Sequence, residues 1–236
     1  KVLCIIPARS GSKSIKNKNI IKFLNKELIY YTIKFAKSLK FINKIIFTSD
    51  SKLYIKIAKM HRSEFNHLRE KKLSGDSSLT TSLVKHLLNL ESKHKNKYDF
   101  VLVLQPTSPF RLAKDFYKAY RYLANKSYDS AITVSKSTEH PYRMKIFKNN
   151  QSNTVSNFVK LKKESLVPRQ KLSSVYIRAG SMYFSRVRNL YKNNSLVGRK
   201  VLGIIVKDKY SLNIDTKEDL ILANYYFYDK NKKKSN

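Results

Sequence analysis

The chain has 236 residues, 42% hydrophobic and 12% aromatic, which suits one domain with a sizeable core and excludes a disordered chain. Lys and Arg total 49 against 16 Asp and Glu, a formal charge of +33, yet the cations are spread along the whole length, which argues against a dedicated nucleic-acid arm. One cysteine excludes an internal disulfide framework, the five histidines lack metal-ligand spacing, no apolar run is long enough to span a membrane and no secretory leader opens the sequence, so the expected location is cytoplasmic.

Residues 2–6, Val-Leu-Cys-Ile-Ile, read as a buried strand, with Cys4 as a small core residue. The run opens directly into a loop carrying Arg9, Ser10, Ser12, Lys13, Lys16 and Lys18 around Gly11. Cations and hydroxyls interleaved just after a strand are the groups with which α/β proteins hold phosphates beyond strand carboxyl ends. Neither the G-x-x-x-x-G-K-[ST] nor the G-x-G-x-x-G fingerprint is present. Apolar spacing then predicts a helix over 27–40, a strand over 44–50 and a helix over 51–59. Leu83, Val84, Leu87 and Leu88 mark another helix over 80–90. Residues 99–104 form a second apolar strand, which delivers Gln105-Pro-Thr-Ser-Pro-Phe-Arg111 at its carboxyl end. A helix through Phe116, Tyr120 and Leu123 and a strand over 131–134 follow.

From about 135 to 178 the rhythm breaks into polar and aromatic sequence with hairpin-like pieces such as 155–161. Strands expected to be parallel resume at 181–184 and 201–206, and 219–228 closes as a helix before a basic tail, 229–236, expected to be disordered. Strands alternating with helices predict right-handed crossovers. The expected fold is a three-layer, Rossmann-like α/β sandwich with a mostly parallel central sheet, spanning 1–228 with 135–178 as an inserted lobe.

Three ordered motifs give the chain a family resemblance. Ala8, Arg9, Ser12, Lys13, Lys18 and Asn19 match the pattern A-R-x-x-S-K-x-x-x-x-K-N that opens the CMP-sialic acid synthetases, or acylneuraminate cytidylyltransferases. Residues 105–111 match the family's Q-P-T-S-P-x-R, and 213–220 resemble its D-I-D-T-x-x-D-L. The resemblance implies transfer of CMP from CTP to the anomeric hydroxyl of an acidic nonulosonate sugar, an N-acylneuraminate or a close relative. Such chemistry asks the protein to position two anions and to neutralise charge on the transferring phosphoryl group.

The resemblance also assigns roles. Arg9, Ser12, Lys13 and Lys18 would meet the triphosphate, and Asn19, Arg69 and Thr80 the cytidine. Gln105, Ser108 and Arg111 would face the sugar, joined by Arg143 and Arg169 reaching across from the lobe of a homodimer partner. Arg9, Lys18 and Asp215 are the expected catalytic groups, with Mg²⁺ on Asp215 and Asn213. The chain departs from the pattern at Ser14, where the family usually has Gly, at Ala179, where it tends to have Asn, and at Asn213, where it generally has Asp. One of two metal carboxylates is therefore an amide. Cytidylyltransferases for other keto-acid sugars, of the Kdo, legionaminate or pseudaminate type, need the same phosphate chemistry. A basic nucleic-acid-binding module is favoured by charge alone; no specific nucleic acid and no membrane insertion are expected.

Overall fold

Strand β1 (Val2–Pro7) lies in the interior of the sheet with helices on both faces, and its near-continuous apolar run follows from that position. Val2, Cys4 and Ile6 face one helical layer, while Leu3 and Ile5 face the other, so no position on the strand is left for a polar side chain. The computed structural model of the chain describes residues 1–12, 14–70, 80–125, 128–147, 153–160 and 168–232. The two-residue strands β2 (Lys22–Phe23) and β3 (Lys26–Glu27) pair with each other outside the main sheet. Parallel partners flank β1, with β4 (Lys44–Ser49) on one side and β6 (Phe100–Val103) on the other. Among the described residues seven strands form one sheet, in the order β11 (Val201–Ile205), β7 (Ser130–Lys136), β10 (Tyr176–Arg186), β6, β1, β4, β5 (Phe65–Leu68).

One helical layer holds α1 (Leu28–Ser38), α2 (Lys52–Met60) and α4 (Ala113–Ala124), which set Ile33, Tyr54 and Phe116 against Cys4 and Leu102. The other holds α3 (Thr80–Lys93) and α5 (Val187–Asn193), where the stripe of Leu83, Val84, Leu87 and Leu190 packs on Leu3, Ile5 and Val103. Each such side chain contributes about 1.5–3 kcal/mol relative to leaving it in water. The three-layer α/β sandwich is therefore as expected.

Three details correct the sequence reading. Strand β10 is antiparallel to both neighbours, with Tyr183 opposite Val103 of β6 and Ile132 of β7. A parallel return would need a crossover helix, and the described residues between β7 and β10 hold none. The sheet also claims both ends of the segment given to the lobe, because β7 runs through Lys136 and β10 starts at Tyr176. What remains of the lobe contains a two-stranded antiparallel hairpin, β8 (Lys145–Phe147) and β9 (Val155–Asn157). Finally, α6 (Lys217–Lys232) continues past Tyr228 into the region expected as tail; 233–236 lie outside the described residues.

At the amino edge of the sheet Glu91 fastens α3 to the strands. Its carboxylate accepts from Lys44 Nζ at 2.8 and 2.9 Å, from Asn96 Nδ2 at 3.0 Å and from the Tyr98 hydroxyl at 3.0 Å. This tie lies at the end of the strands opposite the loops that carry the sequence motifs.

Candidate active site

The basic loop leaves β1 braced on four sides. The Ala8 N–H donates to the Thr48 carbonyl of β4 at 2.9 Å, which keeps the chain beside that strand as it exits. Ser10 then donates twice to one carboxylate, from its N–H to Asp50 Oδ1 at 2.8 Å and from its hydroxyl to Oδ2 at 3.1 Å. The Ser12 N–H turns back to the Ser10 carbonyl at 3.0 Å, closing a tight turn at Gly11. Buried Asn19 donates its amide to the Arg9 carbonyl at 2.9 Å. Asn19, expected against the cytidine, thus braces the loop through the residue expected on the phosphates. Lys13 lies outside the described residues.

The loop is joined on its far side to the third motif. Lys18 Nζ lies 2.7 Å from Asp215 Oδ1, and the Ser14 hydroxyl donates to the Asp215 carbonyl at 2.6 Å. The second motif meets the third as well. The Ile214 N–H donates to the Thr107 carbonyl at 2.7 Å, and fully buried Ser108 donates its hydroxyl to Asn213 Oδ1. Asn213 packs on Gly180, whose φ is +72°, and a side chain there would begin 2.9 Å from the Asn213 amide nitrogen. Glycine is required at 180 for both conformation and space. Three segments far apart in the sequence therefore converge at the carboxyl ends of β1 and β6, where α/β sheets bind ligands.

Arg111 and Ser108 were expected on the sugar, and both are engaged by the protein. Arg111 donates to the Ser181 carbonyl at 3.1 Å, the Thr32 hydroxyl at 3.1 Å and the Gln105 carbonyl at 2.6 Å. Burial pulls its pKa down to about 9, still above neutral, so the charge is kept and shared among these acceptors. Its described bonds make Arg111 a tie between α1, β10 and the second motif.

On the cytidine side, the Arg69 N–H donates to the Ser49 carbonyl at 2.9 Å, which carries the side chain to the same sheet edge as Asp50. Burial lowers the pKa of the Arg69 guanidinium; the Asp50 carboxylate opposes that shift and the nearby positive charge of Arg9 adds to it. Thr80, at the start of α3, lines a cavity of about 250 Å³ together with Gln105, Arg178, Tyr183 and Leu196. Residues expected on cytidine and on sugar thus share one cleft. Arg143 ends a short 3₁₀ turn in the lobe and is exposed, and Arg169 begins another. No described contact joins Arg143 to the converging loops, and the Arg169 side chain lies outside what the structure describes.

The oxygens present suit one hard divalent cation. Asp215 is exposed, with Oδ1 held by Lys18, whereas the Asn213 carbonyl oxygen is taken by Ser108. Among the described residues no three His, Cys, Asp or Glu side chains gather as a complete metal cage. Magnesium commonly uses one or two carboxylates and takes its other oxygens from phosphates and water. Asp215 fits that arrangement; Asn213, as bonded, serves the framework instead.

Sequence reasoning passed over Asp50, Arg178 and Tyr183. Asp50 carried a signal, since it ends a strand parallel to β1 and so must lie beside the basic loop.

Residues 3–217 match the cytidylyltransferase family. The chain is 31% identical to a pseudaminic acid cytidylyltransferase of Campylobacter jejuni subsp. jejuni, covering 94% of both chains. It is 29% identical to an N-acylneuraminate cytidylyltransferase of Escherichia coli over 99% of its own length, yet spans only 54% of that protein. Its fold is similar to that of a solved CMP:2-keto-3-deoxy-manno-octonic acid synthetase complexed with CTP, with a TM-score of 0.67, 14% identity and coverage of 98% and 99%.

Proposed function

Because this chain belongs to the cytidylyltransferase family, we propose that its β1 loop receives CTP and that CMP passes to the anomeric hydroxyl of an acidic nonulosonate sugar. The sugar oxygen attacks the α-phosphorus, the bond to the β-phosphate breaks, pyrophosphate leaves and the hydroxyl proton is released. The convergence of Lys18 and Ser14 on Asp215, with Asn19 bracing Arg9 in the same loop, is the observation that carries this reading. Cations positioned beforehand stabilise charge where it grows during transfer, and one well-placed donor is worth roughly a hundredfold or more in rate.

Lys18 and Arg9 neutralise the triphosphate, while Ser12 and the loop amides cradle it. A Mg²⁺ ion on Asp215 would supply further charge neutralisation at the phosphates. Gln105 and the cleft it shares with Arg178 and Tyr183 would receive the sugar. The Campylobacter relative spans the same length as this chain, which favours a pseudaminate-type sugar as a second reading beside the N-acylneuraminate type.

A homodimer completes the site. Ile146, Phe147, Val155 and Phe158 are exposed on the lobe hairpin, and a two-stranded hairpin with bare apolar faces needs a partner surface. Pairing through the lobes carries Arg143 and Arg169 toward the other protomer's cleft, where the planar guanidinium fork suits a sugar carboxylate. Dependence on CTP puts the reaction in the cytoplasm. Among the described residues no helix is long and apolar enough to cross a membrane.

The test is pyrophosphate release from CTP across a panel of nine- and eight-carbon acidic keto-sugars. Turnover with an N-acylneuraminate or pseudaminate-type sugar is expected. Release with none of them, or only with an eight-carbon sugar, would contradict the nonulosonate assignment.

A further inference from the structure

Asp50 is bound to the basic loop more tightly than its position at the end of β4 requires. Both carboxylate oxygens accept from Ser10, at 2.8 Å from the N–H and 3.1 Å from the hydroxyl, and Ser49 Oγ lies 3.5 Å from Oδ1. Its charge is felt at Arg69, as is that of Arg9. The carboxylate therefore grips the residue between Arg9 and Gly11, and stands near the Arg69 guanidinium of the cytidine side. Two independent bonds to one residue fix the loop in both direction and twist, which a single bond would leave free.

We propose that Asp50 is a positioning residue for CTP: by clamping Ser10 it orients Arg9 and the amides of the 10–12 turn toward the triphosphate, and its negative charge offsets the repulsion between Arg9 and Arg69. The inference rests on the reading that this loop receives CTP. The braces on Arg9 divide between backbone and charge. Asn19 holds its carbonyl, and Asp50 holds the next residue along. Removing the second brace leaves the chain beyond Arg9 untied from β4, with only the bonds of Ala8 and Asn19 behind it. Asp50 touches no reacting atom; it acts through Ser10.

Hydrogen bonds to a charged group contribute enough that their loss here should weaken CTP binding about tenfold or more. The test is CTP binding by calorimetry, with steady-state kinetics, for the wild type, Asp50→Asn, Ser10→Ala and the double variant. Asparagine keeps the shape and one acceptor but loses the charge and turns the other position into a donor. Asp50→Asn should weaken CTP binding and raise the KM for CTP by about tenfold, with a much smaller change in kcat and in the KM for the sugar. Ser10→Ala should give a smaller loss in the same direction, and the double variant should be little worse than Asp50→Asn, since both changes break one clamp. A general folding defect would instead affect CTP and sugar alike. If Asp50→Asn binds CTP as tightly as a CTP-binding wild type, or harms both substrates equally, the positioning role is wrong while the CTP reading stands. If the wild type itself does not bind CTP, both fail.

Discussion

Lys18 and Asp215 pair at 2.7 Å, but the Asp215 side chain is 60% exposed, and an exposed ion pair adds only about 0–1 kcal/mol to stability. Their conjunction is thus better explained by the substrate than by folding. Asp215→Ala should leave the melting temperature nearly unchanged and sharply raise the magnesium needed for turnover; full activity at low magnesium would remove Asp215 from the metal. Asn213→Asp should fold, because Ser108 can still donate to a carboxylate there, and should lower the magnesium requirement by restoring a second charge. Arg111→Ala is different in kind. It strips donors from two carbonyls and the Thr32 hydroxyl, so we expect a loss of about 2 kcal/mol in stability by denaturant unfolding before any effect on sugar affinity is read. Lys18, Asp215 and Ser108 stand out in the sequence because whole motifs surround them, but the bond of Ser108 to Asn213 does not. The clamp of Ser10 on Asp50 is not legible from either residue alone, since it joins positions 40 apart and depends on which strands are neighbours.

At the level of elements, an apolar run reports burial on both faces, so β1 and β6 are legible from composition alone. Strand direction is not, because side-chain alternation is the same in parallel and antiparallel sheets, and the reversal of β10 comes from the connection rather than from its residues. β5 is missed for a related reason: it is a short edge strand with polar Asn66 and His67 between exposed Phe65 and Leu68. The tie of α3 through Glu91 yields a pH prediction. Burial would raise the Glu91 pKa, but bonds from Lys44, Tyr98 and Asn96 outweigh it and hold the carboxyl below its usual range. A carboxyl with a depressed folded pKa stabilises the protein above its unfolded value of about 4.3, and that stability is lost as pH falls through the folded pKa. Glu91→Gln should therefore destabilise the protein by about 2 kcal/mol at neutral pH, with the gap to wild type closing under acid, as read by denaturant midpoints across that range.

Across the whole molecule, the charge of +33 sets up a positive field around the fold. A positive field raises the local concentration of a triphosphate and an acidic sugar, so the KM for both should rise with added salt. The lobe hairpin leaves Ile146, Phe147, Val155 and Phe158 exposed, and the proposed homodimer would cover them. Light scattering should find a dimer, and mixing Arg169→Ala with Lys18→Ala protein should restore part of the activity through hybrid dimers holding one intact site. A monomer at working concentration would exclude sites shared in this way. The central claim is that the loop after β1 is where CTP is held for transfer. Its most direct measurement is pyrophosphate release from CTP by wild type and Lys18→Ala, each checked for an unchanged melting temperature. Lys18→Ala should lose about a hundredfold in kcat/KM with the fold intact. Equal turnover by the two proteins would contradict it.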